Sequence, residues 1–346
     1  MVNSGDVIDL EITGVAHGGV FVARHEGRVV FVPDTLPGER VRVRLTDTAK
    51  KSFWRGEVLE VLDASEHRQP HVWQQADVDV APENRPGGAD FGHIELAHQR
   101  ELKMRVLLEA LERFGGLTGF PVTMSPAGPV LSDDTDVIDD EAPDGTGWRT
   151  RVSLHVDADG RIGPYAARSH RVVEVDDLPL ATGEVQRAAL GLRSGTHAPG
   201  RIDLVQPADG LVRMVPRPER APRPAGARGK RHPSPRPVAD KKNLAREVVV
   251  ERVGRREFRV DAGGFWQVHR LAAHALATRV AAVLRTARAD GPAIDPDAWH
   301  LDLYGGVGLF AATLGDLGGT STRVTSVESD ARATDHAGEN LAEWVG

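Results

Sequence analysis

With 346 residues, 40% of them hydrophobic and 27% charged, the chain has the balance of a globular protein and the length of two or three domains. It contains no cysteine, which excludes disulfides, thiolate metal sites, cysteine-ligated iron–sulfur clusters and cysteine nucleophiles within these residues. A formal net charge of -7 gives no global attraction to nucleic acid, so any such role must rest on local basic patches. The N-terminus, Met1 to Asp6, has no basic region leading into an apolar run, and the most apolar helix-like stretch, Leu271 to Ala287, is broken by His274, Arg279 and Arg285. Neither a signal peptide nor a membrane span is predicted.

From Asp6 to Val61, short β-like runs alternate with turn signals: Val7 to Ile12, Gly18-Gly19 before Val20 to Val22, Arg28 to Val32, Pro37-Gly38, Val41 to Leu45, and Trp54 to Val61. Strands this close together predict a small β-barrel over residues 1–68. A central α+β region is expected over 69–250. It opens with an amphipathic helix between Ile94 and Phe114, on which Leu102, Val106, Leu107, Ala110 and Leu111 share a face, stopped by Gly115-Gly116. An acidic stretch at 131–147 reads as a solvated loop. Trp148 to Asp177 reads as strands with a turn at Asp157 to Gly160, followed by a helix from Leu180 to Leu192. At 213–246, Pro, Gly and basic residues including Arg213, Arg217, Arg228, Lys230, Lys241 and Lys242 predict an exposed basic loop. Over 251–346 the pattern turns α/β: a turn at Gly263-Gly264, a helix from about Val268 to Arg288, strand Trp299 to Leu303, a helix from about Leu309, strand Arg323 to Val327, and a helix from about Ala331.

Strand Trp299 to Leu303 runs into Tyr304-Gly305-Gly306-Val307-Gly308 and then a helix, an order in which side-chain-free residues let backbone N–H groups approach a ligand. Glu328 closes the next strand, 26 positions after Asp302, where a carboxylate can accept from both hydroxyls of a ribose. The loop is not Gly-x-Gly-x-x-Gly and has no Lys-Ser/Thr, which argues against dinucleotides and nucleoside triphosphates. S-adenosylmethionine, with a carboxylate and a ribose but no phosphate, fits better. The competing explanation is a glycine turn that serves packing alone.

Asp302 to Phe310, preceded by Gly264-Phe265-Trp266-Gln267-Val268-His269, resembles the paired motifs of the bacterial RNA (uracil-5-)methyltransferase family, which acts on transfer and ribosomal RNA. The resemblance implies cofactor contacts from Gln267, Tyr304 and Glu328, with Asp302, Gly305, Gly306 and Gly308 shaping the loop, and a Rossmann-like methyltransferase domain. The N-terminal barrel looks like a TRAM domain, an OB-like RNA-binding module, with Gly18-Gly19 and Pro33 to Glu39 at its turns. Lys50, Lys51, Phe53, Trp54 and Arg55 would then offer cations and stacking surface to RNA, although either aromatic could instead fill the barrel core and the cations could be a solvated rim. Trp148 to Arg151 and Gly163 to Val175 are similar to the family's RNA-facing β-region, which brings in Arg149 and Arg151. His93 and His170 could touch RNA, but lone histidines more often sit at a surface or core edge. Pro86 to His93 resembles a segment in which many relatives carry iron–sulfur ligands; here Pro86 and Ala89 stand in cysteine positions, and further ligand positions fall near Val80 and at Leu178. No iron–sulfur cluster and no metal site is expected.

Carbon 5 of uracil becomes nucleophilic only after addition at carbon 6, for which the family uses a cysteine thiolate. That position lies beyond an Asp-Pro-Pro-Arg-type motif, and this chain has neither, so no catalytic residue is named. Two strand-helix units after Trp299 are few for a doubly wound sheet. Either the sequence is cut before the catalytic segment, which we favour, or it is a natural short form. The leading expectation is a cytoplasmic, monomeric RNA uracil-5 methyltransferase without its catalytic segment. The alternative is a non-catalytic RNA-binding protein with a partial methyltransferase fold.

Overall fold

Alternation of apolar and charged residues gives one dry face to each of the first five strands: β1 (Val7–Ala16), β2 (Val20–His25), β3 (Arg28–Val32), β4 (Arg40–Asp47) and β5 (Phe53–Asp63). In the computed structural model, which describes residues 2–131, 137–219, 243–287, 293–295 and 297–344, these strands close into a barrel in the order β1-β2-β3-β5-β4. The β3–β5 pairing is parallel and the rest are antiparallel. Leu10, Ile12, Phe21, Val30, Val41, Val43, Trp54 and Val58 fill its interior. Gly56 is required where β5 crosses β4, because a Cβ there would lie 2.3 Å from Val43 Cγ1. The carboxylate of Glu39, fully buried at the barrel end, accepts from Arg68 Nε at 2.6 Å, Arg68 Nη2 at 2.8 Å and Leu36 N at 2.8 Å.

The barrel belongs to the first of two compact units, made of Met1–Pro126, Ala142–Gly147 and Arg161–Leu180. Helix α1 (Leu96–Gly115) packs on the barrel through Leu102 and Val106. The expected apolar face is shorter than its pattern, because Leu107 is exposed. The helix ends on left-handed Gly116, whose N–H donates to Glu112 O.

Between barrel and helix, residues 69–95 have little regular structure and are held by side chains. Buried Arg85 donates to Val58 O (3.1 Å), Val78 O (2.7 Å) and Val80 O (2.8 Å), and pairs with Asp34 at 3.3 Å. His71 donates from Nε2 to Ala89 O (3.2 Å) and accepts Trp73 N at Nδ1 (2.9 Å), which fixes its neutral tautomer. His93, 2% exposed, donates to Thr35 O at 3.0 Å. It is therefore a core residue and not an RNA contact, whereas His170 is exposed, edge-on to Tyr165. Gly87 N to Tyr165 O (2.8 Å) and Ala167 N to Arg85 O (3.0 Å) tie 161–180 to this unit.

The second unit comprises Ala127–Glu141, Trp148–Gly160 and Ala181–Gly346. The expected central region 69–250 is thus shared between the units, because β6 (Arg151–Val156) pairs with β7 (Gly200–Val205) while 161–180 bonds back to Arg85. Strand β7 is also antiparallel to β8 (Arg213–Pro218). The start of the expected basic loop is therefore a strand, with Arg213 paired to Asp209 and Glu247 and Arg217 to Asp203; Arg228, Lys230, Lys241 and Lys242 lie outside the described residues. Helix α2 (Gly183–Gly191) buries Val185 and Ala189.

Strands β9 (Val248–Val253) and β10 (Arg256–Asp261) form a hairpin, followed by α3 (Ala272–Ala287), which starts later than its pattern suggests because 264–271 form turns. Strand β11 (Trp299–Leu303) is parallel to β12 (Arg323–Val327), with α4 (Leu309–Gly318) between them and α5 (Ala331–Asn340) after. Phe258, Val260, Trp266, Val307 and Ala312 share one core. Trp299, Leu301 and Leu303 alternate outward and are exposed. Among the described residues no helix is long and apolar enough to cross a membrane.

Burial pushes the His93 imidazole down to about 3 and lowers that of His71. Both are neutral when folded, whereas in the unfolded chain they protonate near pH 6.5. Their contribution to stability is complete above that pH and is lost as the pH falls towards the folded values. Urea unfolding followed by circular dichroism should show His93 alone removing roughly 2 kcal/mol between pH 7.5 and pH 5. An unchanged midpoint in wild type and His93→Phe would contradict this.

Candidate functional site

The carboxyl ends of β11 and β12 carry the glycine loop. Tyr304 leaves β11 at φ +62°, and Gly306 (φ +56°) and Gly308 (φ +95°) complete a turn that only residues without a Cβ adopt freely. Gly305 has a packing role, since a Cβ there would sit 2.0 Å from Ser326 Oγ on β12. Gly306 has open space on that side, and Tyr304 is 93% exposed. The loop thus presents a bare backbone and one aromatic ring at the head of α4.

Asp302 lies under Gly305. Buried beneath the loop, it accepts Ala311 N at 3.1 Å, and burial raises its carboxyl pKa. Through this bond it braces β11 against α4. Glu328 closes β12 and faces the loop: Oε2 accepts Gly306 N at 2.9 Å, and Oε1 accepts Ser329 N at 2.7 Å and Asp330 N at 2.8 Å. Those backbone donors hold its pKa below the usual carboxylate range. Gln267 is half-buried, and its neighbour Trp266 shares a core with Val307 of the loop, so the Gln267 turn and the glycine loop are built on one packing layer.

On the barrel, the strand phase separates the two aromatics. Trp54 is 2% exposed inside the core, so it offers no stacking face, which corrects its expected RNA role. Phe53 points outward, edge-on to Phe31 with ring centroids 5.5 Å apart, and Lys50 Nζ lies 4.7 Å above its ring. Phe31 was missed, although it shares the outward phase of Val29. Among the described residues Lys50, Lys51 and Arg55 form no ion pair, whereas Arg40, Arg42 and Arg44 on β4 are matched by Asp9, Glu60 and Glu57. Of these cations, Lys50 and Arg55 lie over the Phe53 ring.

Arg149 and Arg151 have different surroundings. Arg149 is half-buried, its guanidinium 4.7 Å from the centre of the Trp148 ring, which is stacked on His269 at 5.3 Å. Arg151 is turned inward: Nη1 donates to Gly264 O at 2.5 Å and Nη2 reaches Glu251 at 3.3 Å, in a pair whose side chains are 12% and 9% exposed. It supports the Gln267 turn instead of facing RNA. Thr150 adds bonds from N (2.8 Å) and Oγ1 (3.0 Å) to Val268 O. Burial pushes Glu251 up to about 7 despite the guanidinium.

Comparison with known proteins adds the lineage. A TRAM domain model matches residues 2–59, the barrel. A curated protein of Streptomyces avermitilis described as an uncharacterized RNA methyltransferase is 36% identical, over 98% of this chain and 76% of its own. The 23S rRNA (uracil(1939)-C(5))-methyltransferase RlmD of Halomonas elongata is 34% identical over 60% of this chain and 40% of its own. The chain belongs to a family of RNA methyltransferases. The crystal structure of Pyrococcus abyssi tRNA (uracil-54, C5)-methyltransferase in complex with S-adenosyl-L-homocysteine matches with a TM-score of 0.59 at 17% identity, over 96% of this chain and 76% of that one. This methyltransferase therefore shares the multi-domain fold of that protein.

Truncating Arg151 should act on stability. Arg151→Met leaves Gly264 O without its donor and Glu251 without its partner, and should lower the unfolding free energy by about 3 kcal/mol. Lys50→Met should change it by less than ~0.5 kcal/mol. Equal urea midpoints for the two variants would return Arg151 to the surface.

Proposed function

We propose that this RNA methyltransferase binds S-adenosylmethionine at the Tyr304–Gly308 loop, Gln267 and Glu328, and acts at carbon 5 of a uridine in transfer or ribosomal RNA held by the barrel. The observation that carries the reading is the Glu328 carboxylate, 2.9 Å from Gly306 N at the adjoining ends of two parallel strands, where an acid beside a glycine turn suits a ribose. The donor set fits that cofactor: Gly306 leaves a bare backbone, Glu328 Oε2 keeps a lone pair, and exposed Tyr304 offers a ring face. When bound, S-adenosylmethionine supplies an electrophilic methyl group.

The chain's own residues would bind and orient. Glu328 accepts hydrogen bonds from the ribose hydroxyls while its Oε1 is held by Ser329 and Asp330 N–H groups. Phe53 gives RNA a stacking surface, and Lys50, Lys51 and Arg55 neutralise phosphates around it. Arg149, beside Trp148, is a candidate RNA contact of the second unit taken by itself. The thiolate needed at carbon 6 of uracil is not among these 346 residues, so no residue here is given that step. A second reading, in which these residues bind RNA and cofactor without performing the transfer, rests on the same binding groups.

Titration calorimetry with S-adenosylhomocysteine should show saturable binding that Glu328→Ala weakens at least about tenfold, the value of one charge-assisted hydrogen bond. Equal affinity in the two proteins would sink the ribose role. In parallel, Phe53→Ala should weaken binding to a single-stranded RNA with Tm unchanged, whereas Trp54→Ala should lower stability by ~3–5 kcal/mol. Radiolabelled methyl transfer to RNA separates the enzyme from the binding-only reading.

A further inference from the structure

Helix α5 carries polar residues where a packed helix normally turns apolar ones inward. Arg332, His336 and Asn340 are spaced four apart and so share one face, and that face meets β10. His336 and Asn340 are 3% and 8% exposed. Each makes specific bonds. Arg332 grips Asp261 with two donors, Nε at 2.9 Å and Nη2 at 2.5 Å, and His336 Nε2 donates to the same carboxylate at 2.8 Å. Asn340 accepts Arg259 N at 2.8 Å, and its Nδ2 donates to Arg259 O at 3.1 Å and to Val307 O at 2.9 Å.

The far ends of these bonds are the two arms of the candidate site. Val307 lies in the glycine loop between Gly306 and Gly308. Asp261 ends β10, and its own carbonyl accepts Gly264 N at 2.8 Å, opening the turn that carries Gln267. The helix starts directly after Glu328, with Asp330 capping Arg332 N and Ala333 N. One helix face therefore touches the supports of the Gln267 turn and the glycine loop, and the N-cap of the same helix, Asp330, donates its N–H to Glu328.

We infer that Arg332, His336 and Asn340, acting through Asp261 and Val307, are positioning residues that hold the glycine loop, Glu328 and the Gln267 turn in register for the cofactor. None of the three is among the residues proposed to contact the cofactor. The inference rests on the S-adenosylmethionine reading for its functional consequence but not for its geometry. Buried carbonyls at Arg259 and Val307 need the Asn340 donors, and an apolar side chain at 340 would satisfy neither, freeing the loop while leaving the helix apolar enough to pack.

The test uses the full chain and three variants. Asn340→Leu removes the loop bond, Asp261→Asn removes the charge under Arg332 and His336 while keeping the shape, and Ala337→Gly loosens the same helix without touching these bonds. We expect Asn340→Leu to weaken S-adenosylhomocysteine about tenfold, the equivalent of one lost hydrogen bond, and Asp261→Asn roughly threefold, while Ala337→Gly lowers Tm with wild-type affinity. Hydrogen–deuterium exchange without ligand should quicken over 302–310 in Asn340→Leu and stay unchanged there in Ala337→Gly. Wild-type affinity in Asn340→Leu and Asp261→Asn overturns the inference, as does an equal loss in Ala337→Gly. If Asn340→Leu does not fold, Asp261→Asn decides by the same criteria. If wild type does not bind S-adenosylhomocysteine, the cofactor reading fails, and exchange over 302–310 alone decides: faster exchange supports the positioning role and unchanged exchange refutes it.

Discussion

A buried guanidinium has five N–H donors in a rigid fork, and each must find an acceptor or cost free energy. This chain places such groups where its backbone has least regular structure. Arg85 gathers three carbonyls and Asp34 into one knot under the 69–95 segment. Arg68 does the same for the barrel end through Glu39, and Arg151 for the Gln267 turn through Gly264 O. The arrangement replaces what disulfides or metals do elsewhere, because irregular segments bury too little apolar surface to hold themselves. It also accounts for three of the buried acids: Glu39, Glu251 and Asp261 are each the counter-ion of an arginine, which offsets their desolvation.

How far the sequence discloses this depends on the range over which each signal acts. Strands β11 and β12 match their patterns because a parallel strand is written in its own five residues. The choice between Phe53 and Trp54 was also local. Arg55 and Glu57 share the phase of Phe53, and Gly56 and Val58 share that of Trp54, so the alternation itself turns the tryptophan inward. Arg151 lies beyond such reasoning. Its phase along β6 is that of Ser153 and His155, which reads as solvent-facing, and only Glu251 and Gly264, about a hundred residues away, draw it in. The stripe on α5 misleads in the same way, since Arg332, His336 and Asn340 read as a wetted face until β10 arrives with Asp261. Buried polar contacts are two-body facts, and single-sequence periodicity records one body. The domain seams were hidden for a related reason: 161–180 returns to the barrel unit through backbone bonds to Arg85, which no composition shift announces.

The candidate site shows what this long-range polar support accomplishes. Glycines at 305, 306 and 308 make the loop possible, but the same absence of side chains leaves it little of its own to hold its shape. Rigidity therefore comes from beneath. Asp302 fixes the head of α4 through Ala311 N, Asn340 holds Val307 O, and Glu328 closes over Gly306 N. For a ribose-bearing ligand, as proposed, the carboxylate of Glu328 is oriented by Ser329 and Asp330 before any hydroxyl arrives, so little ordering remains to oppose binding. The same bonds limit the chemistry. A carboxylate already accepting three backbone N–H groups is stabilised as the anion, and its lowered pKa makes it a poor proton donor or acceptor near neutrality. Glu328 is thus suited to holding a ligand and unsuited to general acid or base work, so a proton removed from the substrate would have to go to another group.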